Sequence, residues 1–167
     1  MEKEGAIPLI QPVLAGALTR VLGSPSDQAA RKAQEWAQAY RDYAITAMAG
    51  ILLPIFTGLE QAAMVSMLLP VMTNFNTTTP QFARALAGGV ESFWLLPPVL
   101  FSGGVLAGAA ALFPGKEPLA AMLTVIMSRP QDRYEGVAQQ IATALDTATR
   151  TVVVNFAPPP GSTVTLT

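Results

Sequence analysis

The strongest constraint on this chain is where its charges are missing. No Asp, Glu, Lys or Arg occurs from Tyr43 to Leu59, from Gln61 to Ala83, or from Ser92 to Gly115. Each gap approaches the length of a membrane-spanning helix, but the interiors argue against that use. The second gap contains the polar run Asn74-Phe75-Asn76-Thr77-Thr78-Thr79-Pro80, and the third holds Pro97-Pro98 and Gly103-Gly104. A backbone donor freed there would find no partner in lipid. No basic cluster flanks the gaps to set an orientation. The sequence therefore predicts that these segments are buried between the chain's own helices, or against copies of itself.

Composition narrows the class further. Of 167 residues 51% are apolar and 13% charged, the latter about half the usual quarter. A chain of this length forms one domain and can bury about 70% of its unfolded surface. Ten basic and 11 acidic side chains leave a net charge of -1, which excludes a disordered polyelectrolyte and speaks against electrostatic binding of nucleic acid. The absence of Cys and His removes disulfides, zinc fingers, haem ligation, and Cys–His and Ser–His–Asp catalysis. The first residues carry two acids beside one Lys, and Pro8 and Pro12 break the apolar stretch that follows; this does not read as a secretory leader.

A threefold pattern organises the rest. The runs Ala17–Gly23, Met67–Thr73 and Met122–Ser128 align without gaps, with a period of roughly 50 residues. Each leads into a break rich in Ser, Thr, Asn or Pro. Ser24-Pro25 and Thr79-Pro80 fit an N-cap followed by the first helical position. After each break comes one apolar stripe: Trp36, Ala37, Tyr40 and Tyr43; Leu86, Ala87, Val90 and Phe93; Val137, Ala138, Ile141 and Ala144. That spacing places each set on one helical face. Three related helix-loop-helix units would produce it, and so would three ordinary amphipathic hairpins.

Amphipathic helices are expected from about Ser26 to Met48 and from about Asp132 to Thr149, each with one wet face. The segments Ala44–Phe56 and Phe93–Phe113 show no polar face, so burial on all sides is expected. The end of the chain changes character. Thr151–Phe156 is β-branched, Ala157-Pro158-Pro159-Pro160-Gly161 is a rigid bend, and Ser162–Thr167 alternates; two strands fit this best. A lone hairpin is marginal in water, and no other segment reads clearly as a strand. The missing sheet is expected in a neighbouring molecule, reached by strand addition. The expectation is mainly α: five or six helices in residues 1–150, and a short C-terminal β extension or arm in 151–167.

No constellation of catalytic groups stands out. Glu60 and Glu91 alone among the acids fall next to apolar segments; Glu60 suits the first turn of a helix, and Glu91 lies two turns from Arg84. The glycines of Phe101–Gly108 lack the Gly-Lys-Ser/Thr ending of a phosphate loop. The methionines lie inside apolar runs, as core filler does, and Trp36, Tyr40 and Tyr43 have no basic track beside them for stacking nucleic-acid bases. No enzymatic activity, cofactor, metal or specific nucleic acid is expected.

Two stretches carry a family likeness. Phe93-Trp94-Leu95-Leu96-Pro97-Pro98-Val99-Leu100-Phe101-Ser102-Gly103-Gly104 and Ala144-Leu145-Asp146-Thr147-Ala148-Thr149-Arg150-Thr151-Val152-Val153-Val154 resemble patterns in small virion proteins of tailed bacteriophages, which similarly finish in a proline- and threonine-rich strand. The resemblance covers the second half of the chain and brings no catalytic residues. It implies a tail, neck or baseplate component in many symmetric copies, located in the virion after assembly in the host cytoplasm, with copies of itself and other virion proteins as partners. Long charge-free segments lead to the same role, because large apolar patches mark interfaces. The expected contact residues are Phe93, Trp94, Pro97, Pro98, Val99 and Phe101 in the apolar segment, and Val152, Val154, Phe156, Val164 and Leu166 in the tail. The alternative is a small integral membrane or pore-forming protein such as a phage lysis factor.

Overall fold

The computed structural model describes residues 9–24, 28–103, 106–130, 133–157 and 163–167. The expected helix starts at Ser26 and Asp132, and the Pro158–Gly161 bend, lie outside the described residues. Six helices dominate, α1 (Gln11–Gly23), α2 (Ala29–Ala44), α3 (Leu59–Thr73), α4 (Thr79–Leu95), α5 (Lys116–Ser128) and α6 (Tyr134–Thr149). Between and after them run five short strands, β1 (Leu53–Ile55), β2 (Leu100–Gly103), β3 (Leu106–Leu112), β4 (Val153–Ala157) and β5 (Thr163–Thr165). The chain is mainly α, with a small antiparallel sheet ordered β1-β2-β3-β4-β5.

The threefold pattern corresponds to three consecutive helix hairpins, α1–α2, α3–α4 and α5–α6. The three aligned runs end α1, α3 and α5, and the apolar stripes are the inward faces of α2, α4 and α6, where every member is buried except the half-buried Val137. Each helix packs on its sequence neighbours, and α6 closes onto α1, so the helices form a ring. Each hairpin is followed by an excursion into the sheet: β1 after the first, β2 and β3 after the second, β4 and β5 after the third. The ends of α1, α3 and α5 and the starts of α2, α4 and α6 therefore gather at one pole of the ring and the sheet at the other.

Local chemistry sets the element ends. Thr78 and Gln81 form a reciprocal capping box at the start of α4, with Pro80 in its first turn; the cap is one residue earlier than Thr79, the expected position. Gly88 and Gly89 let α3 come close: an added Cβ would stand 2.9 Å from Met67 Cε and 3.1 Å from Met64 Cγ. Pro97 and Pro98 stop α4, because Pro97 has no N–H to donate and restricts Leu96 before it. This corrects the expectation for Phe93–Phe113. Past Leu95 the segment is not buried on all sides: it forms a turn and the β2–β3 hairpin, with Leu96, Leu100, Leu106 and Leu112 exposed. The segment Ala44–Phe56 likewise becomes a loop and β1, with Ile45, Ile51, Leu53 and Ile55 exposed.

The C-terminal strands find their sheet within the same molecule. β4 pairs with β3, so that Gly108 lies opposite Phe156 and Ala110 opposite Val154; β5 pairs with β4, Val164 opposite Val154. Beyond β5, Met48 and Thr167 exchange two backbone hydrogen bonds, at 3.1 and 3.0 Å. On a flat sheet the corners at Thr167 and Leu53 would stand about 28 Å apart, yet the stretch from Met48 to Leu53 reaches at most about 18 Å. Even with the roughly 5 Å between paired Met48 and Thr167 added, the span falls short, so the sheet is not flat. Its inner side holds Phe101, Ala110 and Val154, all buried, with Leu52, Val99, Phe113, Val152 and Leu166 buried around them. Strand addition to a neighbour is corrected on this ground: the tail already has its partner.

Leu166, 2% exposed, distinguishes a core strand from a free arm. Leu166→Ala should lower the unfolding free energy by about 2–5 kcal/mol in urea titration followed by circular dichroism. An unchanged midpoint would mean that the tail does not pack on the body.

Candidate functional site

The deepest polar chemistry lies where the helix layer meets the sheet. Trp94 Nε1–H donates to Tyr40 Oη at 2.8 Å. Thr149 donates its own hydrogen to the Leu145 carbonyl at 2.7 Å, so its Oγ1 accepts from the Tyr40 hydroxyl, also at 2.7 Å. Every hydrogen in this chain has an acceptor, and it ties α4 to α2 and α2 to α6. Beside it Tyr43 donates to Asp146 Oδ1 at 2.7 Å. Asp146 also accepts from Arg150 Nε at 2.9 Å, and Arg150 reaches the Leu9 carbonyl. Burial pushes both phenols above their ordinary range, which keeps them neutral. The Asp146 hydrogen bond raises Arg150. Tyr40, Trp94 and Thr149 are closed to solvent, whereas the Asp146–Arg150 pair is partly exposed; the whole arrangement joins α2, α4 and α6.

The two acids singled out from the sequence also serve structure. Glu91, two turns from Arg84 in the sequence, pairs instead with Lys116 of α5 at 2.8 Å. Glu60, 2% exposed, folds back over the start of α3. It accepts from the Thr57 N–H at 3.1 Å, the Gly58 N–H at 2.8 Å and the Thr57 hydroxyl at 3.0 Å. Among the described residues no three acids gather as metal ligands would.

The expected contact residues divide into three groups. Phe93, Trp94, Val99 and Phe101 are buried, and so are Val152, Val154 and Leu166; as contact residues these seven are corrected, because the chain's own core already covers them. Phe93 and Trp94 meet Phe56 and Tyr40 edge-on or tilted, and Phe101 stacks on Trp94 at 6.0 Å between ring centroids. Phe156 and Val164 are half-buried on the sheet's inner side, while Pro97 and Pro98 are exposed.

What remains available is a surface that the sequence did not reveal, the outer face of the sheet. The pairing register places Leu53, Ile55, Leu100, Ser102, Ala107, Ala109, Leu112 and Val153 on it, followed toward β5 by Asn155, Thr163 and Thr165. Leu53, Ile55, Leu100 and Leu112 are 54%, 47%, 56% and 61% exposed. Ile55 and Leu100 sit directly opposite each other. No strand residue carries a charge. Alternation would have signalled this face, but no strand was expected in that part of the chain. No protein-family model matches this chain, and neither a curated protein sequence nor a solved structure matches it.

Burial acts to raise the Glu60 carboxyl, but its own backbone N–H together with the Thr57 and Gly58 donors outweighs it and holds the group below the usual carboxylate range. A depressed folded-state value adds stability above the unfolded value of about 4.3 and loses it as pH falls through the folded one. Glu60→Gln should therefore cost about 1–3 kcal/mol at pH 7. The difference from wild type should shrink between about pH 5 and pH 3; a difference equal at both ends would contradict the role.

Proposed function

We propose that this protein is a non-enzymatic structural subunit that assembles with copies of itself, and that the outer face of its sheet is the principal contact. The observation that carries this reading is the pairing of exposure with neutrality: four large aliphatic side chains stand out from a sheet face without a single charge. Exposed apolar patches of this kind mark interaction sites. A face free of charge meets an identical face without repulsion, and two such faces pack about 10 Å apart as the layers of a sandwich do.

The edges are less suited to association. β1 and β5 are three residues each, and Pro54 leaves β1 one donor short; short strands and edge prolines blunt edge-to-edge pairing. A second uncharged surface lies between α5 and α6, lined by Ala121, Met122, Val125, Ile126, Gln139, Gln140, Thr143, Ala144 and Thr147. Two separate neutral surfaces allow growth beyond a dimer.

The virion of a tailed bacteriophage, in its tail, neck or baseplate, is the setting we propose, with other virion proteins as further partners. It rests on the resemblance of Phe93–Gly104 and Ala144–Val154 to such proteins, and on self-association as a requirement of that role. Among the described residues no helix is long and apolar enough to cross a membrane.

Light scattering on the protein in detergent-free buffer should give a multiple of the 17.5 kDa chain mass. Leu100→Glu should weaken association roughly 100-fold, because it places an unpaired charge in the contact, and should leave the helical circular dichroism unchanged. A wild-type chain that stays at 17.5 kDa at all concentrations, or that needs detergent to remain in solution, would contradict the proposal.

A further inference from the structure

The pole opposite the sheet holds a cavity of about 1180 Å³, and all six helices contribute to its wall. Its walls include Trp36, Phe82, Leu22, Met72, Met127 and Ile141. The Trp36 and Phe82 rings meet edge-to-face at 5.7 Å. Trp36 and Ile141 are buried among the helices, while Leu22, Met72, Phe82 and Met127 are only half-buried, so part of this apolar lining is open to whatever enters.

The rim has the opposite chemistry. Arg129 and Arg133 line the mouth and are exposed, and neither has a carboxylate partner among the described residues. Lys32 also lines the cavity, but Glu35, Ser24 and the Val21 carbonyl already hold its ammonium. Glu135 is the only acid among the described lining residues. An apolar recess beneath two guanidinium groups that have no carboxylate partner among the described residues is matched by a molecule with an apolar body and one anionic end. Guanidinium forks recognise a carboxylate through paired N–H donors, and a mostly apolar pocket with a few convergent polar groups is the usual form of a small-molecule site.

We propose that this cavity binds a single-chain amphiphile, its acyl chain lying against Trp36 and Phe82 and its carboxylate held by Arg129 and Arg133. The site lies at the pole remote from the sheet and does not depend on the assembly role.

The probe is dodecanoate below its micelle concentration, compared by titration calorimetry with dodecanol and dodecyltrimethylammonium. Dodecanoate should bind roughly tenfold or more tightly than either, consistent with charge-assisted hydrogen bonds at a partly exposed rim. Arg129→Gln combined with Arg133→Gln should remove that preference while leaving the fold intact, since both side chains are exposed. Val137→Trp, on the half-buried wall, should block all three ligands. A bromine-substituted dodecanoate should quench Trp36 fluorescence, and the quenching should disappear in Trp36→Phe, which leaves Trp94 as the remaining indole. Equal affinity for the three head groups would overturn the proposal. Undiminished binding in the double Arg variant would overturn it too. So would association with phosphatidylglycerol vesicles in place of monomeric dodecanoate.

Discussion

The hydrogen-bond chain from Trp94 through Tyr40 to Thr149 is the constraint on which the rest of the structure depends. Three helices from three different hairpins meet there, and each brings a polar atom that has no access to water. A buried donor or acceptor left without a partner costs about 1–3 kcal/mol. The chain therefore fixes the rotation of α2, α4 and α6 relative to one another more tightly than apolar contact alone would. The same Trp94 indole stacks on Phe101 of β2, so the sheet is registered against the helices through the residue that registers the helices against one another.

The two poles follow from that junction. α4 ends immediately after Trp94 at a proline pair, and the chain leaves the helix layer with one face turned to the aromatic cluster. Strands alternate their side chains, so placing Phe101 inward puts Leu100 outward; the pairing register carries that division to Ile55 and Ala109, and a register shift between Ala110 and Leu112 turns Leu112 outward as well. Among the described residues the helices lie on only one side of the sheet, and no layer covers the other face. At the far pole the helix ends leave an axial recess. The assembly surface and the ligand cavity thus occupy opposite ends of the molecule.

Much of the helix layer was legible in the sequence. The stripe from Trp36 to Tyr43 and its counterparts in α4 and α6 mark inward faces, and the breaks between them mark the three hairpin turns. The C-terminal strands were legible as well, from Val152-Val153-Val154 and the alternation after Ser162. The inner half of the sheet was not. β3 reads Leu-Ala-Gly-Ala-Ala-Ala-Leu, a composition that favours helix on intrinsic propensity. It is a strand because tertiary packing needs small side chains there: a Cβ on Gly108 would lie 3.0 Å from both Val154 Cγ1 and the Asn155 carbonyl oxygen. With no strand legible in β3, the tail has no partner within the chain and Val152, Val154 and Leu166 point to a contact with another molecule, whereas pairing within the chain buries them. The cavity was illegible for a different reason, because its lining comes from six helices and no local pattern unites them.

The absence of cysteine allows the central claim, that the outer sheet face is covered when copies meet, to be measured directly. Leu100→Cys places a single thiol on that face, and Arg31→Cys places one on the exposed side of α2, where the native side chain is 72% exposed. The rate of maleimide labelling would be followed as protein concentration rises. The account predicts that the thiol at position 100 slows about tenfold or more by mass action while the thiol at position 31 keeps its rate. Equal and concentration-independent labelling at both positions would contradict it.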